Sequence, residues 1–328
     1  MKFVHGAWIV ILAIPILVLL MLSTRRPYTG VAGQLKLLPV DAEPKPTRIL
    51  VLVAHHDAGT DRALRYAELV NTEAITCVHA EEPRSDDLIY TWDAAHPGHS
   101  LEVIPREDES ISRRVVERVR RERDQHPETV ITVILADRVS TRSIVAPFAH
   151  RHSLAIKSRL LFEPHVVVTD LNVLRRSRHS RLPQVPISRI EQVVLVSDMT
   201  RPIREALTYA QALGPPVTAI HIDVDTQQRE RLEGQWDHAG YELPLVVIPS
   251  DYRSIVEPLI RYLRQRRREA SPGTLISAVL PEFIVPGRVT QLLHNQTGLA
   301  IKGLLAAEAA IAVTSVPFHL QSNGHSPD

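Results

Sequence analysis

One cysteine and 13 glycines in 328 residues set the first limits. A lone Cys77 excludes an internal disulfide framework and any multi-cysteine metal site. Within a strand-like run it reads as a small buried residue. Scarce glycine matters because a loop that cradles phosphate needs positions without a Cβ, where backbone amides can approach closely. Charge of one sign is also lacking: the net charge is +1, so no global field points to a nucleic-acid partner. Long apolar runs are absent except for one, at the N-terminus.

That run is FVHGAWIVILAIPILVLLML, Phe3 to Leu22. A helix of this length extends about 30 Å, the thickness of the hydrocarbon core of a bilayer. Pro15 is tolerable in such a helix, and Trp8 sits near one end, where interfacial aromatics collect. Arg25 and Arg26 follow, against a single Lys2 before the run, which places the C-terminal side in the cytoplasm. A cleaved signal peptide fits less well, because no small-x-small site closes the run. Residues 1–26 are therefore expected to form a transmembrane helix in the cell membrane, with the lipid bilayer as a partner. Residues 27–47 are a linker ending in the polar, proline-containing DAEPKPT.

The rest of the chain repeats itself. Ile131 to Leu160 aligns with Ile276 to Leu305 at a constant offset of 145, with Leu154, Ala155, Ile156 and Lys157 meeting identical residues. RALRYA (Arg62 to Ala67) aligns with EALTYA (Glu205 to Ala210) at an offset of 143. The pattern is a tandem of one domain-sized unit. In each copy short apolar runs alternate with amphipathic segments, which implies strands, crossover helices and a parallel sheet. The first copy is expected at 48–173 and the second at 191–320, with a disordered tail at 321–328. The closing strands, His165 to Val168 and Ala310 to Val313, are expected to meet edge to edge, so that the repeats pair within the chain. Between the copies lies LRRSRHSRLPQVPIS, a basic linker expected at 174–190. The strand Ile276 to Leu280 is expected to end in a loop broken by Pro281 and Pro286, with a helix from Arg288.

Two resemblances follow from these residues. VLVSD, ending at Asp198, and VLVAH, with His55 in the equivalent place, precede the two ALRYA-like runs; in this the units resemble universal stress protein domains. The resemblance implies an α/β fold with two Rossmann-like units, each with a five-stranded parallel sheet. Lys2 to Leu35, with its GAW motif, apolar run and following arginines, resembles the last membrane helix of permeases of the amino acid–polyamine–organocation superfamily. In many members of that family a stress-protein-like cytoplasmic tail follows. SDYRSIVEPLIRY, VLPEF and LLHNQT are similar to such tails. The chain is thus expected to be a membrane-anchored regulatory or assembly module resembling the C-terminal part of an amino-acid permease. Three readings fit the missing membrane helices of the permease: a split subunit, with those helices on a separate chain, a decayed gene, or a mis-called start. One helix cannot enclose a transport site by itself.

The resemblance to stress proteins raises a nucleotide-sensing alternative. Their ATP-binding members carry G-x2-G-x9-G-[ST] after the fourth strand. The first copy has no glycine between Gly98 and Gly214. The second has Gly287 and Gly298, with the spacing one too long and Leu299 in place of the hydroxyl residue. Asp198, at a strand C-terminus, together with Gly287 and Gly298, is the candidate set for a nucleotide; weak or no ATP binding is expected. His55, His56 and Asp57 are adjacent and unsuited to one ion, so no metal is expected. No nucleophile stands beside a base in a supporting context, so neither catalytic residues nor an enzyme are expected, and a secreted α/β enzyme is the least favoured reading.

Overall fold

The computed structural model describes residues 44–83, 85–139, 151–174, 185–250, 254–284, 296–305, 308 and 311–319. The N-terminal apolar run, most of the basic linker and Gly287 lie outside these residues. Among the described residues no helix is long and apolar enough to cross a membrane.

The first unit runs β1 (Thr47–Leu52), α1 (Ala58–Glu68), β2 (Ala74–Ala80), α2 (Asp86–Ala95), β3 (Leu101–Ile104), α3 (Ile111–Gln125), β4 (Val130–Val139), α4 (Arg151–Leu160) and β5 (Val166–Leu174). The second runs β6 (Arg189–Leu195), α5 (Arg201–Ala212), β7 (Val217–Asp223), α6 (Thr226–Ala239), β8 (Leu245–Pro249), α7 (Val256–Glu269), β9 (Thr274–Ile284), α8 (Gln296–Leu305) and β10 (Ile311–His319). The strands form one ten-stranded sheet, in the order β3-β2-β1-β4-β5-β10-β9-β6-β7-β8. Within each half every pairing is parallel. The halves join through β5 and β10, which are antiparallel, with Thr314 opposite Thr169. The expected meeting of the closing strands is therefore present, and it fuses the two five-stranded sheets into one. Because the junction is antiparallel, the C-terminal strand edges of the halves face opposite ways.

The strands around the junction outrun the expectation. β9 passes through Pro281 to Ile284 instead of ending in a loop at that proline. Proline lacks an N–H, which a central strand cannot spare. Pairing to β6 ends at Val279, so Pro281 sits where β9 has only β10 beside it. Pro317 is placed alike, beyond the last β10 residue paired with β5, Ser315. β5 likewise takes in Leu174, which was expected to open the linker. The described part of the last crossover helix begins at Gln296, and residues 285–295 lie outside the description.

One layer of α1, α2, α5 and α6 covers one face of the sheet, and its apolar core is continuous across both units. The other face carries two separate cores, under α3 with α4 and under α7 with α8. At the junction the continuous layer holds a buried hydroxyl cluster. Tyr209 Oη lies 2.8 Å from Thr132 Oγ1. Its counterpart Tyr66 Oη lies 3.5 Å from Ser277 Oγ, and Thr169 and Thr314 hydroxyls meet at 3.0 Å. Each helix thus reaches a strand of the other unit, as an approximate twofold axis requires. Burial pushes both phenols above their ordinary pKa, so they stay protonated donors.

Candidate functional site: two crevices at opposite strand edges

In open parallel sheets ligands bind beyond the carboxyl ends of the strands. In the first unit β1 leads into Ala54 to Asp57 and then α1. The Asp57 carboxylate caps α1, accepting from Gly59 N at 2.7 Å and Thr60 N at 3.2 Å. Those first-turn amides, which an anion would otherwise use, are engaged by the chain's own charge. Beside them His79 of β2 is 3% exposed. Its Nδ1–H donates to Val53 O at 2.7 Å, and its Nε2 accepts from Ser85 Oγ at 2.8 Å. Ser85 Oγ in turn accepts from Glu82 N at 2.9 Å, which fixes the turn into α2. Over this floor opens a cleft of about 410 Å³, walled by Ala54, His55, His56, Glu82, Asp87 and Thr91. No lysine or arginine is among its described lining residues.

A smaller hollow of about 270 Å³ lies where the turn after α2 packs on α1. His99 Nε2 approaches Glu68 Oε1 at 3.2 Å. The His96 ring packs against Trp92, tilted by 45°, with centroids 4.4 Å apart. Burial holds the His96 imidazole below its usual pKa, against the opposing pull of Asp61. These contacts fasten the turn to α1.

The second unit repeats part of this floor. His221 matches His79: its Nδ1–H donates to Val196 O at 3.0 Å, and it is 2% exposed. Leu232 and Trp236 of α6 match Leu88 and Trp92 of α2, 144 residues apart in each case. Both tryptophans donate their indole N–H to a carbonyl seven residues on, His99 O and Leu243 O. Here, however, α6 starts sooner after its strand, and two of its glutamines bond to the turn after β6. Gln228 Nε2 donates to Ser197 O at 2.9 Å. Met199 N is shared between Asp198 Oδ1 at 2.9 Å and Gln235 Oε1 at 3.3 Å.

Of the three candidates for nucleotide binding, two lie among the described residues. Asp198 stands beyond the end of β6, half-buried, its carboxylate turned onto its own loop. Gly298 lies inside α8, in helical backbone, not in a loop. Gly287 is outside the described residues. The open cleft belongs to the first unit, at His55, the position equivalent to Asp198. His79 and His221 carried a signal, a histidine in the same strand of both copies, that was not read from the sequence. Among the described residues no group of three or more histidine, cysteine or acidic side chains is placed to hold a metal.

Two parallel α/β units sharing a sheet, with an open crevice in the first, define a tandem Rossmann-like domain. The family model described as the KimA potassium transporter C-terminal domain matches residues 45–173 and 188–318, and the chain belongs to this family. It is similar to the curated protein named potassium transporter KimA of Bacillus subtilis (strain 168), with 29% identity over 130 residues. That alignment covers 39% of this chain and 21% of the relative, so the matched part spans about a fifth of the transporter's length. The comparison places the chain with the C-terminal part of a transporter; it does not show stress-protein domains.

Proposed function

We propose that this protein is the membrane-attached regulatory or assembly module of a permease, with its tandem α/β domain in the cytoplasm. The observation that carries the reading is the family match over both units, 45–173 and 188–318. The relative's name, potassium transporter, favours potassium over an amino acid as the partner permease's substrate. Phe3 to Leu22 supplies the attachment, and Arg25 with Arg26 orients it. The membrane helices that conduct the ion are those of the permease that this module serves. The test is potassium uptake in cells that carry this protein, with and without its gene, over a range of external potassium. Loss of the gene should alter uptake, and the tagged chain should co-purify with a multi-span membrane protein. Unchanged uptake together with no such partner would sink the proposal.

A second reading is a nucleotide sensor of the universal stress protein type. The specific observation in its favour is the cleft beyond β1 and β2, of about 410 Å³, a usual size for a small-molecule site. In this reading the ligand sits in the first unit, not against Asp198. A melt of the full chain with ATP, ADP and AMP checks it: absence of any shift in all three removes this reading and leaves the first untouched.

A further inference from the structure

One turn of the second unit keeps a positive charge that the first unit cancels. The last turn of α7 carries Arg266, Arg267 and Arg268. The equivalent turn of α3, 144 residues earlier, reads Glu122, Arg123, Asp124. There Glu122 pairs with Arg48 and Arg118, and Arg123 pairs with Asp124 and Glu163. In α7 Arg266 has an acid, Glu191 at 2.8 Å. Arg267 and Arg268 are exposed, and no acid among the described residues pairs with them. A helix C-terminus carries about half a negative charge, which one arginine already answers. α7 ends at the sheet edge where β5 ends and β6 begins. Arg189 opens β6 there, exposed, with Glu191 no nearer than 3.7 Å. α1 joins this edge: Arg65 Nε donates to Ile187 O at 2.9 Å. Burial, with the Arg267 charge, holds the Arg62 guanidinium below its usual pKa. The nearer acids are engaged, Glu68 by Arg65, Glu308 by Arg264 and Glu269 by Gln265. Glu82, Asp86 and Asp87 lie around β2 and β3, in the other half of the sheet.

We infer that this arginine edge docks on anionic phospholipid headgroups of the membrane that carries the chain, and so lays the second unit against the bilayer. The inference rests on the membrane attachment proposed above. Guanidinium forks match the oxygens of a phosphate in pairs, and each arginine near an anionic surface strengthens binding about fivefold. The tether is long enough. Residues 27–46 extend to at most about 65 Å. β9, the longest described strand, has 11 residues and covers about 35 Å. The edge therefore reaches the bilayer although β1 enters the sheet from the opposite one. The linker from β5 to β6 begins and ends at this edge and is itself basic in sequence, so it does not oppose the patch.

The experiment places the full chain in lipid discs of phosphatidylcholine, with or without phosphatidylglycerol. Arginine modification by phenylglyoxal is followed residue by residue with mass spectrometry. Anionic discs should slow the labelling of Arg189, Arg267 and Arg268 about fivefold or more, and high salt should restore it. Arg231, exposed in the first half of α6 and nearer the opposite edge, should label alike in both discs. The pair Arg267→Glu with Arg268→Glu should abolish the protection of Arg189, whereas Arg267→Lys with Arg268→Lys should keep it. Both side chains are exposed, so either pair should melt like the parent. Equal labelling in the two discs, or protection that survives the glutamate pair, would overturn the inference. So would equal protection by inorganic phosphate in neutral discs, which would make this a site for the free anion. A chain that does not enter the discs would remove the membrane attachment and this inference with it. The link to a permease is read separately, in potassium uptake, and can fail while the edge still docks.

Discussion

Cys77 sits in β2, fully buried, and burial pushes its thiol up to about 12. Only the thiolate reacts quickly with alkylating reagents. Native protein should therefore resist iodoacetamide at about pH 8 and label fully once denatured; rapid native labelling would show that β2 is not enclosed. Histidines make stability depend on acidity. His96, His165 and His319 are all held below the usual imidazole value, first by burial. His319 Nε2–H also donates to Leu161 O at 3.1 Å, tying the last strand of one unit to the other. The unfolded chain protonates near its ordinary value of about 6.5, before the folded chain does, so it binds more protons as pH falls. The stability is fully present above about pH 6.5 and is lost as pH drops through the folded values. Denaturant midpoints should fall between about pH 7.5 and about pH 5.5, and a His96→Gln/His319→Gln variant should show a smaller fall. Equal falls in both proteins would remove these two groups as the cause.

At the scale of elements, much was readable because the repeat doubles every signal. The strand and helix at RILVLV and RALRYA, and the short β3 at Leu101, have the periodicity that burial on both faces or one face demands. What escaped was tertiary. Pro281 reads as a strand breaker until β10 is known to be its only neighbour there. The contacts between α6 and the turn after β6 escaped too, because they depend on where α6 begins and how far Gln228 reaches. An ion pair shows a similar dependence on context. Lys302 of α8 bonds to Glu282 of β9, whereas the equivalent Lys157 of α4 bonds to Asp170 of β5. Glu282 is 3% exposed, and removing the cation from a buried carboxylate costs about 3 kcal/mol or more. Lys302→Met should lower the unfolding free energy by about that amount, and adding Glu282→Gln should restore most of it. A Lys302→Met protein as stable as the parent would mean that other groups already balance Glu282.

For the whole molecule the decisive contact is the junction of β5 and β10. Its partners are equivalent positions: Thr169 faces Thr314, 145 residues on, and the Tyr209–Thr132 contact mirrors Tyr66–Ser277. A surface that mates with its own equivalent can also mate with its own copy, because the geometry is isologous. A fragment from Ile187 onward would expose β10 and the α5 face that the first unit covers, and both are buried in the full chain. An open strand edge beside an apolar layer is a template for pairing. The fragment should therefore form a dimer through β10 and α5, with Thr314 opposite Thr314, whereas the full chain satisfies this edge internally. Light scattering on the fragment should give twice the monomer mass. Thr314→Lys, which places a charge in the centre of that seam, should return the fragment to monomers or unfold it. A monomeric fragment that melts cooperatively would mean that the second unit does not need a partner on this edge, and that the shared core adds little to its stability.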